Sequence, residues 1–144
     1  MGKQRKYNAA QFESIGEVFV DNRGKKRKDT SANIYESMMH SPAFQSLNAR
    51  QRMLYVYCKA QYYGKRKPER DFPDIEEMSG ASCFYLNWAA VIKYGLYSKT
   101  DSSTFYKDMR VLCDRGLIEQ IASGKVHHKK SVYKYSLKWR QYAG

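Results

Sequence analysis

Between Asp101 and Arg115 the chain mixes groups that donate hydrogen bonds with groups that favour burial. Phe105, Met109, Leu112 and Cys113 repeat at the helical period and form one apolar side. Ser103, Thr104, Lys107 and Arg110 then share the opposite side, with Ser102 and Tyr106 among the early residues. Small hydroxyls allow a close backbone approach. A guanidinium is a planar fork of donors that fits O6 and N7 of guanine, and an ammonium serves guanine or phosphate. The chemistry on offer is recognition of an anionic, hydrogen-bonding surface. Any amphipathic surface helix has a polar side, so this helix alone does not decide the matter.

Two further cationic groups bear on it. The segment Gly124 to Lys130 holds Lys125, Lys129 and Lys130 around His127 and His128, and its lysines suit phosphate. The adjacent histidines point to opposite sides of an extended chain. Apart from Glu119, no Cys, Asp or Glu lies within eight residues of them, so no metal site is expected. The run Asn22 to Lys28 contains Arg23, Lys25, Lys26, Arg27 and Lys28, has no apolar residue and is not expected to form a core element. Residues 1–31 are therefore expected to be a basic, mobile arm, with Phe12, Ile15, Val18 and Phe19 docking weakly. Over all 144 residues, 26 Lys and Arg against 14 Asp and Glu leave a formal charge of +12. Of this, +4 falls in residues 1–31, +2 in 32–98 and +6 in 99–144. An excess at both ends points to a polyanion: DNA, RNA or an acidic membrane surface.

Other chemistries find little support. No phosphate-cradling glycine motif, zinc-protease motif or serine elbow is present. Asp71, Asp74, Glu76 and Glu77 cluster among prolines and lysines, as a solvated loop does. The three histidines offer little acid–base apparatus, so no enzyme activity and no cofactor are expected. Cys58, Cys83 and Cys113 are spaced by 25 and 30 residues, which matches no zinc or redox motif; buried reduced thiols in a cytoplasmic protein are expected. No apolar run is long enough to span a membrane, and no apolar stretch follows Met1 to Lys6 as a secretory signal requires.

The elements that position these residues follow from local signals. With 42% apolar residues the chain can build a core, and order is expected from about Ala32. Ser41-Pro42 starts a short turn through Phe44 to Leu47. Asn48 caps a helix from Ala49 to about Tyr62, with Met53, Leu54, Tyr57, Cys58 and Gln61 at helical spacing. Residues 64–80 read as a charged connection, and Cys83 to Leu86 as a strand. Asn87 caps a two-turn helix, Trp88 to Tyr94, closed by Gly95. Asp101 or Ser102 caps the helix that runs to Arg115, which Gly116 stops. Strands over Leu117 to Ile121 and Ser131 to Leu137 finish the domain, with Trp139 and Tyr142 packing back on it.

Helix, strand, short helix, turn, longer helix, strand, basic loop, strand is the order of a winged helix-turn-helix. The expected class is α+β, mainly helical: a three-helix core over residues 32–144, a small antiparallel sheet and a basic wing. A major groove about 12 Å wide admits one helix, and the hairpin beside it reaches the backbone. The stretch Ser41 to Arg50 leading into Leu54-Tyr55 resembles the opening of winged-helix domains in replication-initiator proteins of Gram-positive plasmids and integrative elements. Phe105 to Met109 through Arg115 to Glu119 resembles the recognition helix and first wing strand of that family and of many bacterial regulators. Ser131 to Ser136 with Trp139 resembles the second wing strand. Such initiators carry further domains after the wing. The resemblance therefore implies a small accessory protein of a plasmid, phage or conjugative element, acting in replication, transfer or excision, or a transcriptional regulator. Its expected partner is double-stranded DNA, together with other proteins of a DNA-processing complex. RNA association and protein docking are competing readings. Against the first, the tyrosines fall mostly at core-compatible positions; against the second, the helix face carries cations.

Overall fold

The computed structural model describes residues 18–20, 24, 26–28, 32–61, 83–122 and 131–144. The chain divides into two units, Met1–Ser31 and Ala32–Gly144. In the first, where an arm without a core element is expected, strands β1 (Val18–Val20) and β2 (Lys26–Lys28) pair antiparallel, Val18 opposite Lys28 and Val20 opposite Lys26. Lack of apolar residues therefore did not prevent β2 from pairing, because a ladder is made by backbone groups.

The second unit is α+β. Its described residues form helices α1 (Glu36–Met39), α2 (Pro42–Gln45), α3 (Ala49–Ala60), α4 (Trp88–Val91) and α5 (Ser102–Asp114), with strands β3 (Cys83–Tyr85), β4 (Ile118–Ala122) and β5 (Val132–Tyr135). The starts of α2, α3 and α4 are set by side chains. Ser41 Oγ accepts from the Phe44 amide at 3.2 Å, with Pro42 in the first turn. Asn48 Oδ1 accepts from the Gln51 amide at 2.8 Å while Gln51 Oε1 accepts from the Asn48 amide at 3.1 Å, a reciprocal cap. Asn87 Oδ1 accepts from the Ala90 amide at 2.9 Å. A 3₁₀ turn, Ile92–Tyr94, prolongs α4 and ends at Gly95. Helix α1 has no capping side chain at Tyr35 and carries no sequence signal of the kind that marks α2 and α3.

Strand β5 is central in the sheet order β3-β5-β4, and both pairings are antiparallel. Phe84 faces Tyr133, Ile118 faces Tyr135, and a bulge at Ile121 separates the Gln120–Tyr133 and Ala122–Val132 pairs. Phe84, Ile118, Tyr133 and Tyr135 belong to the helical core with Leu54, Tyr55, Cys58, Phe105, Met109 and Leu112. Alternation puts Cys83, Val132 and Tyr85 on the other face, in a smaller cluster with Ile121. In α3 the buried residues are Leu54, Tyr55 and Cys58; Met53, expected inside, is exposed. The helix is rotated from the expected stripe, and its Arg50 and Gln51 reach Asp108 of α5. Cys113, expected buried, is half-buried, and all three cysteines are free. Trp139 and Tyr142 pack into the main core, Trp139 buried and Tyr142 half-buried.

Candidate nucleic-acid interface

Helix α5 carries the candidate site, and both of its ends are defined. At the start, the Asp101 carbonyl accepts from the amides of Thr104 and Phe105, while the Asp101 side chain makes no cap and instead accepts from Ser98 Oγ at 3.0 Å. At the end, the Leu117 amide bonds to the Leu112 carbonyl and the Gly116 amide to the Cys113 carbonyl, both at 3.0 Å. This double closure needs a left-handed residue, and Gly116 supplies it at φ +82°. A Cβ on Gly116 would also lie 2.6 Å from backbone atoms of Lys138 and Trp139, so the site requires glycine twice over. The Trp139 amide donates to the Gly116 carbonyl at 3.0 Å and ties the final 3₁₀ turn, Lys138–Gln141, to this corner.

Around the helix, Phe105, Asp108, Met109 and Leu112 are buried. Ser103, Tyr106, Lys107 and Arg110 are exposed, and Ser102 and Thr104 are half-buried on the flanks. The outward stripe is thus Ser103, Lys107 and Arg110, spaced by four and three, with Tyr106 beside it. Thr104, expected on the outer side, sits at its margin.

The cations divide into two kinds. Arg52 donates to the carbonyls of Leu47 and Gln45, Arg115 donates to Ser46 Oγ and lies over the Tyr142 ring, and Lys134 and Lys138 reach Glu119. Lys107 and Arg110, by contrast, have no hydrogen-bond or ion-pair partner among the described residues. The same holds for Lys93 and for Lys99, which is exposed in the turn ahead of α5. Lys99 was not among the sequence candidates; its place two residues before Asp101, the residue immediately ahead of α5, is the signal that could have found it.

Behind this face lies a polar node. The Asp108 carboxylate accepts from Arg50 Nε at 2.6 Å, Arg50 Nη2 at 3.0 Å, Gln51 Nε2 at 3.1 Å and Tyr97 OH at 2.7 Å. Burial alone would raise the Asp108 carboxyl; the hydrogen bonds from Arg50, Tyr97 and Gln51 outweigh it and hold the group below its ordinary value. Tyr97 is raised, first by burial and then by donating to Asp108. These four residues were also not singled out from sequence, although a carboxylate within the stripe Phe105, Asp108, Met109 and Leu112 is a visible irregularity.

Lys125, His127, His128, Lys129 and Lys130 fall between β4 and β5 and lie outside the described residues, as do Arg23 and Lys25. Lys26, Arg27 and Lys28 make up β2 of the other unit. Among the described residues no three His, Cys, Asp or Glu side chains are grouped to hold a metal ion. No described helix is long and apolar enough to cross a membrane. Comparison of the chain with family models, curated proteins and solved structures finds no match.

Proposed function

We propose that the chain is a sequence-specific double-stranded DNA-binding protein with a winged helix-turn-helix domain. In this reading α5 enters the major groove, α4 precedes it across the turn, and the β4–β5 hairpin is the wing. The observation that carries it is the outward stripe of Ser103, Lys107 and Arg110, whose cations have no partner among the described residues. Arg52, Arg115, Lys134 and Lys138 serve the fold, so cations on one face that have no partner among the described residues are available to a ligand. The element order α3, β3, α4, α5, β4, β5 and the sheet order β3-β5-β4 support the same reading. Tyr55, Tyr97 and Tyr133 are buried and offer bases no platform, whereas Tyr106 is exposed beside the stripe, so the single strand is the competitor the test must include. The protein binds rather than catalyses, works in the cytoplasm, and acts as an accessory factor in replication, transfer or excision of a mobile element, the role its sequence resemblance implies.

The test is selection of bound sequences from a random duplex pool, followed by titrations with the selected duplex, a scrambled duplex and the single strand. The selected duplex should win, with a log–log salt slope of about −4.5 to −7. A pool that yields no common sequence, or a preference for the single strand, overturns the reading.

A further inference from the structure

Asp108 is the one charged residue among the buried residues described. It sits in α5 between Lys107 and Met109, one position from the first free cation of the outer stripe and two from Arg110. The three neighbours that donate to it come from two other places: Arg50 and Gln51 from the first turn of α3, and Tyr97 from the segment joining α4 to α5. Gln51 is itself held, since its Oε1 accepts from the Asn48 amide in the cap of α3. The carboxylate is thereby fixed to the start of one helix and to the connection that leads into its own.

We propose that Asp108 is a positioning residue for the outer face of α5: with Arg50, Gln51 and Tyr97 it sets the rotation and axial placement of α5 against α3, and so the aim of Lys107 and Arg110. The inference rests on the DNA-binding reading above. Its physical basis is a difference in directionality. Phe105, Met109 and Leu112 hold α5 to the core through contacts that tolerate small rotations and slides. Four hydrogen bonds of 2.6 to 3.1 Å to one carboxylate do not, because a guanidinium fork loses its two-point geometry when either partner shifts. A buried ion pair is weak evidence for stability, whereas fixing a register is its best-attested use. Base readout needs that fixity, since a bidentate arginine must meet two acceptors at once.

The test replaces the polar node by apolar groups in the full chain: Arg50→Met, Tyr97→Phe and Asp108→Leu together. Three quantities are read: melting temperature, the ratio of dissociation constants for scrambled and selected duplex, and residual dipolar couplings of α3 and α5 without DNA. The melting temperature should hold, scrambled-duplex affinity should stay within about twofold, and selectivity should fall by about tenfold or more. The α5 couplings should no longer fit the parent orientation relative to α3. A folded variant with parental selectivity and parental couplings overturns the proposal. Should the triple variant not fold, Tyr97→Phe, which removes one hydroxyl, and Arg50→Lys, which removes the fork and keeps the charge, take the same readouts. Each should lose about threefold in selectivity, and no loss in either overturns the proposal. If the parent shows no preference for any duplex, the DNA-binding reading fails, and the couplings alone decide whether the node positions α5.

Discussion

Arg50 and Asp108 stand 58 positions apart in sequence and meet at two points, Nε to Oδ2 at 2.6 Å and Nη2 to Oδ1 at 3.0 Å. The contact is lopsided: the Asp108 side chain is 3% exposed and that of Arg50 is 40%. Losing the arginine leaves a buried carboxylate without its counter-ion, held by Tyr97 and Gln51 alone, whereas losing the carboxylate leaves a cation that water can reach. Arg50→Ala should therefore cost about 2–3 kcal/mol, less than the about 3–5 of a fully buried pair, as read by urea denaturation. A cost below about 0.5 kcal/mol would show the pair to be an ordinary surface contact.

The same carboxylate links folding to acid. Its pKa is lowered on folding, by hydrogen bonds that outweigh burial. A group lowered in this way contributes its stability in full above its unfolded value, about pH 4, and loses it as pH falls through the lower folded value. The stability gap between the parent and Asp108→Asn should accordingly narrow as the pH is lowered from about 4. A gap that stays constant on that descent would remove the linkage.

Alkali acts on other groups. Tyr55, Tyr97 and Tyr133 are all raised, burial being the first cause in each. A tyrosine raised on folding stabilises fully below its unfolded value near about 10 and loses that contribution as pH climbs toward the folded value. Each should contribute a fall of about 1.4 kcal/mol per pH unit above about pH 10. Between about pH 10 and 11, where the unfolded phenol passes from half to mostly ionised, the parent should lose about 1 kcal/mol more than Tyr133→Phe. Equal slopes would mean that Tyr133 ionises as freely in the fold as outside it.

Gly116 and Gly95 separate two costs of a side chain. Both have positive φ, +82° and +80°, yet a Cβ at Gly95 meets nothing within 4 Å and one at Gly116 meets backbone at 2.6 Å. Gly95→Ala should cost about 1–2 kcal/mol, the left-handed penalty alone. Gly116→Ala should cost about 3 kcal/mol or more, because Lys138 and Trp139 must move. Equal melting temperatures for the two variants would show that the final turn yields without cost.

On DNA, reader and anchor should come apart. Arg110→Ala should lose about 1–3 kcal/mol on the selected duplex and relax preference at one base pair. Replacing Lys129 and Lys130 should weaken selected and scrambled duplexes by similar factors and flatten the salt slope by about 0.9 per lost contact. The reverse pattern, with Arg110→Ala non-selective and the lysine variants selective, would exchange the two roles.

Much of the domain was legible from sequence because its boundaries are local. Ser41, Asn48 and Asn87 cap helices with their own side chains, and Gly95 and Gly116 end them in left-handed conformations. The outer stripe of α5 followed from periodicity, since Phe105, Met109 and Leu112 define its reverse side. What escaped was set by distant partners. The rotation of α3 puts Tyr55 inside and Met53 outside, and it depends on where α5 lies. The partner of Asp108 is 58 residues away, with no local spacing to announce it. Strand β2 escaped for the opposite reason, since pairing through backbone leaves little mark on side-chain pattern.

The sheet order has a consequence for how the protein is made. Of β3, β4 and β5, the strand synthesised last is the one that lies between the other two. Until Tyr135 has left the ribosome, β3 and β4 have no strand partner in this sheet, and Phe84 and Ile118 lack Tyr133 and Tyr135 opposite them. Neither pairing of the sheet can therefore form before β5 has been made. A nascent chain stalled before Val132 would present two open strand edges and a core without Tyr133 and Trp139, the kind of species chaperones capture.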